Sequence, residues 1–161
     1  MKTVLDLGAY DGSASREYVE EGDRWILVDN HQYIEYDWSH PKLPKGVEYH
    51  KMDIMDYHEP ADIVVCSNVI YHMEDPFKFL HHLRKLTKGK LILNTYLSGG
   101  EEPEWKYIYG TEEAHPHLKT ANTIYYRPTR AALYEALEEA GFTIESKYEH
   151  DGGAQVKVFC V

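Results

Sequence analysis

The sequence predicts an α/β fold with a mostly parallel sheet that is closed by an antiparallel C-terminal hairpin. Three observations support this prediction. Short apolar runs recur along the chain between turns and helical patterns, as in strands that are joined by crossover connections. Two amphipathic segments have clear helix caps and ends. Near the end of the chain, two strand patterns flank Asp151-Gly152-Gly153, a turn sequence that favours an antiparallel pair.

The first strand leads into a glycine-rich turn, VLDLGAYDG, at residues 4–12. The segment that follows, SASREYVEEG, predicts a helix that is capped by Ser13 or Ser15 and ended by Gly22. Glycine lets the main chain approach a ligand closely, and a helix N-terminus offers N–H groups to a negative group. The turn is therefore a candidate ligand site, although its spacing does not fit the dinucleotide pattern G-x-G-x-x-G.

The remaining elements follow in order. One helix is predicted to begin with Asp75 as cap and Pro76 at its first position and to end at Gly89, and another to be capped by Thr129 and ended by Gly141. A polar, aromatic-rich loop is predicted from Ser98 to about Arg127. Further strands are predicted at residues 24–29, 47–53, 61–68 and 90–97 and on both sides of the C-terminal turn.

Composition bounds the class of protein. A chain of 161 residues with 43% hydrophobic and 13% aromatic residues predicts one globular domain over 1–161. The net charge of −10 argues against a nucleic-acid partner and favours a small-molecule substrate. Cys66 and Cys160 are expected to be buried free thiols in a reducing cytoplasm. We expect a cytoplasmic protein, because neither a signal peptide nor a membrane span is predicted.

The glycine-rich turn resembles motif I of the class I S-adenosylmethionine (SAM) dependent methyltransferases. That motif usually reads acid-x-G-x-G-x-G, and this chain has Asp6, Gly8 and Gly12 in the matching positions. Tyr10 stands where the middle glycine of the family motif is expected.

A second stretch, residues 61–95, resembles the segment that follows strand 4 in the same family, a V-L-x-H-x-x-D-P run and an amphipathic helix. The matching residues are Val69, Ile70, His72, Asp75 and Pro76. Tyr71-His72, the long loop after strand 5 and RPTRAAL…AGF resemble the branch with the wobble-uridine tRNA methyltransferases, of which this chain is a reduced version. The resemblance implies a Rossmann-like three-layer fold with a seven-stranded sheet, and SAM as cofactor with S-adenosylhomocysteine as product.

Ligands of open α/β sheets bind beyond the carboxyl ends of the strands. There Asp29 is expected to accept both ribose hydroxyls of the cofactor, the alternative being a capping or solvated loop acid. Asp53, or alternatively Asp56, is expected to accept the adenine amine, with Met52 and Met55 beside the ring. The predicted cofactor-binding residues are Asp6, Gly8, Tyr10, Asp11, Gly12, Asp29, Asn30, Asp53, Ile54, Ser67 and Asn68.

His72 is the candidate general base, because an imidazole titrates near neutrality; the alternative is a histidine that shapes its loop. The loop 98–127 is predicted to be a lid over the acceptor site, the alternative being a buried cap over the core. Tyr71, Trp105, Tyr109 and Arg127 are the candidate substrate-binding residues. No metal is expected, since His81 and His82 point to different sides of a helix. The remaining cluster, around His115 and His117, lacks a typical ligand set.

The favoured function is SAM-dependent methyl transfer to an oxygen or nitrogen of a small molecule. One alternative is a non-catalytic SAM-binding or partner-binding domain. Another is transfer from a carboxy-SAM-type donor to tRNA, which needs a cation from Lys106 or Arg127. An NAD-dependent oxidoreductase is the least favoured.

Overall fold

A computed structural model of the chain describes residues 1–30, 45–109 and 124–161, without the side chains of residues 108, 109, 124 and 125. The strands are β1 (Thr3–Leu7), β2 (Arg24–Asp29), β3 (Val47–Lys51), β4 (Ala61–Ser67), β5 (Thr87–Tyr96), β6 (Trp105–Tyr109), β7 (Ile124–Pro128), β8 (Ile144–His150) and β9 (Gln155–Cys160). The α-helices are α1 (Pro76–Leu86) and α2 (Arg130–Glu139). None of the helices in this part of the chain is long and apolar enough to cross a membrane.

The main sheet has seven strands in the order β3-β2-β1-β4-β5-β9-β8. Strands β1 to β5 pair in parallel, whereas β9 pairs antiparallel with both β5 and β8. This confirms the predicted fold class. The strand order reverses beside β1, where the chain goes to β2 on one side and β4 lies on the other. In open sheets this reversal creates the ligand crevice at the carboxyl ends of the strands.

The central strand β1 is buried on both sides of the sheet. Leu5 and Leu7 belong to the larger apolar cluster, together with the buried side of α1, and Val4 belongs to a second cluster with Trp25 and Leu27. A parallel strand that is covered on both faces is predominantly apolar, and the buried exception in β1 is Asp6. The free cysteines Cys66 and Cys160 are buried in the larger cluster, as expected.

Helix α1 begins as predicted, because the Asp75 side chain accepts a hydrogen bond from the Lys78 N–H at 2.9 Å and Pro76 follows it. Its apolar stripe Phe79, Leu80, Leu83 and Leu86 is almost completely buried. The predicted end at Gly89 is wrong, since the helix ends at Leu86 and Gly89 lies in β5. A Cβ at Gly89 would lie 2.7 Å from the carbonyl oxygen of Asp62. This glycine therefore permits the close approach of β5 to β4.

The predicted helix after the glycine-rich turn is reduced to a 3₁₀ helix, Arg16–Tyr18. Glu17 faces like charges at Glu20 and Glu21 in helical spacing, which disfavours a longer helix. Ser15 is buried and does not cap the helix with its side chain. Its hydroxyl instead accepts a hydrogen bond from the Trp25 ring N–H at 2.9 Å.

The predicted loop over 98–127 is confirmed for residues 98–104 and wrong for the rest of its described part, because β6 and β7 form a separate two-stranded antiparallel sheet. Trp105 pairs with Pro128, and Tyr107 pairs with Tyr126. The polar composition of the segment 98–127 concealed its strands.

Directly after β7, the Thr129 hydroxyl accepts a hydrogen bond from the Ala132 N–H at 3.3 Å and caps α2, as predicted.

Candidate active site

The glycine-rich turn lies directly beyond the carboxyl end of β1. Gly8 has φ +72° and donates its N–H to the Val28 carbonyl oxygen at 2.9 Å. A Cβ at this position would lie only 2.3 Å from Cγ2 of Val69, which follows β4. Only glycine therefore allows β1 to turn here while the segment after β4 packs against it.

Tyr10 occupies the position where the family motif has its middle glycine, and it adopts a glycine-like φ of 47°. Its side chain is 44% exposed. The Tyr10 N–H donates to Oδ2 of Asp29 at 3.0 Å. The Asp29 carboxylate, at the last residue of β2, therefore fixes the turn after β1. Asn30 follows it as an exposed residue.

Asp6 is buried beneath the turn and is only 1% exposed. Neither of its carboxylate oxygens has a hydrogen-bond partner among the described residues. Burial raises the pKa of Asp6 to about 7. The neighbouring charges of Asp29 and Asp11 act in the same direction, whereas the nearby Ser15 lowers the pKa and only partly offsets burial. A buried acid of this kind fits a cationic ligand group. Asp11 instead accepts a hydrogen bond from the Ser13 N–H at 2.9 Å.

The end of β3 lies beside Asp29, whose carbonyl oxygen accepts a hydrogen bond from the Met52 N–H at 3.1 Å. The exposed Asp53 accepts a hydrogen bond from the Met55 N–H at 2.8 Å and caps a 3₁₀ helix, Ile54–Asp56. Met52 and Met55 are partly buried and pack against the larger apolar cluster. These two methionines therefore help to attach the loop to the core.

His82 supports this loop from α1. It is 8% exposed, and its Nε2 lies 3.0 Å from the carbonyl oxygen of Ile54. Because a carbonyl oxygen only accepts, Nε2 is the donor. Burial lowers the pKa of His82, so the ring is neutral near neutral pH. The sequence pattern had suggested only a metal-ligand role for His82. Its spacing of three residues from Phe79 and four from Leu86 could have placed it on the buried face of the helix.

The ends of β4 and β5 bring polar side chains to the same edge. Asn68 has φ 59°, and its N–H donates to the Asn94 carbonyl oxygen at 2.8 Å. The Asn94 side chain donates from Nδ2 to the Ser67 hydroxyl at 3.3 Å. The Oδ1 atoms of Asn68 and Asn94 are buried and have no hydrogen-bond partner among the residues described. Acceptors of this kind fit a ligand with N–H or O–H donors.

His72 ends a 3₁₀ helix, Ile70–His72, that follows β4. Its ring centroid lies 4.4 Å from that of Tyr71, and Tyr71 contacts Tyr96 edge-on at 5.7 Å. The guanidinium carbon of Arg127 lies 5.2 Å from the centre of the Tyr96 ring. Nε of Arg127 is buried and has no hydrogen-bond partner in the described ranges. Tyr96 therefore connects Tyr71 to Arg127.

The other predicted substrate-binding residues are Trp105 and Tyr109. Trp105 lies in β6, partly buried against the core. The Tyr109 side chain is outside the described part of the chain, as are residues 112–117, where the histidine cluster was considered. The described residues contain no group of three or more His, Cys, Asp or Glu side chains that could hold a metal ion.

A methyltransferase domain family model matches residues 1–147. The chain belongs to this methyltransferase domain family. The predicted class I family, the enzyme class and SAM as cofactor are thereby confirmed. The buried Asp6 carboxylate, the Gly8–Gly12 turn and the Asn68 and Asn94 oxygens are chemically suited to a ligand with an ammonium group and hydroxyls.

Curated relatives carry a more specific name. A tRNA U34 carboxymethyltransferase from Wolinella succinogenes is 34% identical over 111 residues, which are 65% of this chain and 35% of the relative. One from Nautilia profundicola is 25% identical over 149 residues, which are 88% of this chain and 47% of the relative. The chain thus spans about a third to a half of these relatives.

Solved structures show the same fold. A SAM-dependent methyltransferase from Mesorhizobium loti superposes with a TM-score of 0.73 at 16% identity, covering 99% of this chain and 90% of that one. A 1,6-didemethyltoxoflavin-N1-methyltransferase from Burkholderia thailandensis, with bound S-adenosylhomocysteine, gives 0.72 at 17% identity, covering 99% and 70%.

The predicted partners are wrong. Net charge argued for a small-molecule substrate and against nucleic acid, but the curated relatives are named as enzymes of tRNA. Net charge sums over the whole surface, whereas a nucleic acid contacts only part of it. A charge of −10 therefore does not exclude a nucleic-acid substrate.

Proposed function

We propose that this domain transfers a methyl or carboxymethyl group from a SAM-type donor to a base of tRNA. The observation that carries the proposal is the similarity to tRNA U34 carboxymethyltransferases, at 34% identity over 65% of the chain. The geometry adds a donor side, which consists of the Gly8–Gly12 turn, Asp29, the loop 53–56 and Ser67-Asn68. The acceptor side consists of residues 70–72, Tyr96, Arg127 and the β6-β7 sheet.

On the donor side, Asp29 accepts the ribose hydroxyls, while its bond to the Tyr10 N–H keeps the carboxylate in place. Asp53 accepts a hydrogen bond from the adenine amine, and the Ile54 N–H donates to the same edge of the ring. Asn30 lies next to Asp29. Asp6 or Asp11 meets the ammonium group, and Gly8, Gly12 and the main chain at Ser67 and Asn68 surround the methionine portion. The donor supplies an electrophilic carbon on sulfur. The protein therefore mainly aligns donor and acceptor, which is worth roughly 7–11 kcal/mol in well-oriented reactions.

On the acceptor side, His72 takes a proton from the acceptor atom where that atom carries one. Tyr71 fixes one face of the His72 ring, and Tyr96 connects this pair to Arg127. The β6-β7 sheet forms a lid over the acceptor side. A lid excludes water, which strengthens the electrostatic interactions at the reacting atoms.

A donor that carries a carboxylate on the transferred carbon is the second candidate, and Arg127 favours it. Its guanidinium stacks on Tyr96 and its Nε is left without a partner among the described residues. Lys106, the other cation considered, already donates to the Gly99 carbonyl oxygen at 2.6 Å and lies 3.7 Å from Glu104. Arg127 is therefore the better partner for a carboxylate.

The test combines binding with transfer. S-adenosylhomocysteine affinity is measured by calorimetry. The protein is then incubated with unfractionated tRNA and either radiolabelled SAM or the labelled carboxylated donor, and the RNA is digested to nucleosides. We expect a labelled nucleoside. Binding of S-adenosylhomocysteine without label in tRNA would show that the acceptor is wrong, and absence of binding would show that the donor side is wrong.

A further inference from the structure

Beyond the reaction centre, a cleft of about 560 Å³ opens between the start of α1 and the β6-β7 sheet. This volume is in the range of ligand sites. The residues that line it are Glu74, Asp75, Pro76, Phe77, Lys78, Trp105 and Tyr126. We refer to it as the aromatic groove.

The pairing of β6 with β7 explains why aromatic rings gather there. Side chains alternate between the faces of a strand, so Trp105 and Tyr107 share one face of β6. Tyr126 pairs with Tyr107 across the sheet and shares that face, and the centroids of the two rings lie 5.4 Å apart. Lys106 and Arg127 pair on the opposite face.

Phe77 completes the groove from the first turn of α1. Its ring centroid lies 5.5 Å from that of Trp105. Phe77 is 45% exposed and Tyr107 is 43% exposed, and exposed rings that belong to one contiguous group mark an interaction surface, unlike rings that are scattered singly. The contact with Trp105 therefore does not bury the Phe77 ring, and one of its surfaces stays available for a flat partner.

We propose that the aromatic groove stacks unpaired bases that flank the target nucleotide in the RNA substrate, an inference that rests on the proposed function. Base–aromatic stacking is the usual means of holding single-stranded RNA and tolerates any base. Proximity to the reaction centre supports this occupant, because Tyr126 in the groove is the neighbour of Arg127 in β7, and Glu74 in the groove follows His72 by two residues.

The charges of the groove favour bases over phosphates. Glu74 and Asp75 line it beside Lys78, so the local charge is mixed and slightly acidic. A phosphate in the groove would face these carboxylates, whereas the flat face of a base is uncharged. The RNA strand therefore lies with its bases toward the aromatic rings and its phosphates toward solvent.

The test uses a fluorescent single-stranded oligouridylate and unfractionated tRNA as probes, and the whole chain as protein. Phe77→Leu removes the ring but keeps an apolar side chain, and Phe77→Tyr restores a ring. Tyr148→Leu is the matched control. Tyr148 is 58% exposed, and its ring contacts the ring of Phe159 at the β8 edge of the main sheet. Thermal melts confirm that each variant folds.

We expect Phe77→Leu to weaken oligouridylate binding and raise the KM for tRNA roughly tenfold, with S-adenosylhomocysteine affinity unchanged. Phe77→Tyr and Tyr148→Leu should both match the parent protein. Equal RNA affinity in all variants, with labelled tRNA still formed, would contradict the proposed base stacking in the aromatic groove and leave the proposed function intact. Absence of both RNA binding and tRNA labelling would overturn the proposed function and the groove together.

Discussion

The donor side and the acceptor side are built in different ways. On the donor side, main-chain turns and short acidic residues are fixed by the ends of fully buried strands, as in the bond from the Tyr10 N–H to Asp29. On the acceptor side, aromatic rings contact one another on a small second sheet and are partly exposed. A rigid edge suits a constant donor, whereas adaptable rings suit an acceptor strand. Substitutions on the two sides should therefore affect different measurements.

The largest expected effect is on the rate of transfer, and it comes from a substitution on the acceptor side. His72→Ala should lower the rate of transfer by roughly 10²–10⁴-fold if His72 is the general base, because the variant lacks the imidazole that takes the proton. Affinity for S-adenosylhomocysteine should not change. Single-turnover kinetics and calorimetry measure the two quantities, and an unchanged rate would leave His72 with a structural role.

Gly8→Ala should have the next largest effect, on the donor side and on folding. The positive φ and the contact with Val69 together predict a loss of roughly 2–5 kcal/mol in unfolding free energy. Gly22→Ala is the control, since its φ is +89° but nothing lies within 4 Å of the added Cβ. Gly22→Ala should therefore lower the unfolding free energy only by the backbone strain of a positive φ, about 1–2 kcal/mol.

Adding Val69→Ala to the Gly8→Ala variant sharpens this comparison. The second substitution removes the methyl group that the new Cβ meets, so part of the lost stability should return in urea unfolding. No recovery would show that the close approach of the two segments does not explain the glycine at this position.

Asp29→Ala should weaken S-adenosylhomocysteine binding by roughly 2–3 kcal/mol, because charge-assisted hydrogen bonds to the ribose lose their acceptor. Asp29→Asn keeps an oxygen for the Tyr10 N–H and should lose less. Calorimetry measures both affinities. If Asp29→Ala binds as tightly as the parent protein, Asp29 only fixes the turn and the ribose assignment is wrong.

Asp6 makes the stability of the donor side depend on pH. Its folded pKa of about 7 lies above the ordinary value of 3.8, so between these values the native chain binds more protons than the unfolded chain. The unfolding free energy should therefore fall as pH rises through this window. Asp6→Asn should remove the dependence and be more stable above about pH 8, by about 1 kcal/mol or more. Urea unfolding across pH measures this, and parallel curves for the two proteins would contradict it.

The two sides also differ in how well the sequence predicts them. The donor side follows local rules: an apolar run that ends on Asp29 and a glycine-rich turn at Gly8 locate it without knowledge of distant contacts. The β6-β7 sheet was predicted as a loop, because the pairing of Trp105 with Pro128 joins residues that are far apart in sequence. Phe77 and Tyr96 acquire their roles only through such contacts. Periodicity describes neighbours along the chain and carries little information about these pairs.

Gly89 and Asp6 show the same limit within single positions. Gly89 follows a helical pattern and was predicted to end it, but its need for space comes from the Asp62 carbonyl oxygen in the neighbouring strand. Asp6 was recognised from its motif, whereas its burial and raised pKa depend on the elements that cover it. The sequence therefore indicated that both positions matter, but it did not reveal the physical reason.

The smallest expected effect concerns His82, which links the buried face of α1 to the donor side. His82→Ala removes one neutral hydrogen bond to the Ile54 carbonyl oxygen, worth about 1 kcal/mol, so S-adenosylhomocysteine affinity should fall about fivefold. His81→Ala is the matched control, because His81 is the exposed neighbour on the same helix. His82→Gln keeps an N–H donor and should restore most of the affinity if the hydrogen bond holds the loop in place. If Gln and Ala weaken binding equally while His81→Ala has no effect, ring packing rather than the hydrogen bond positions Ile54.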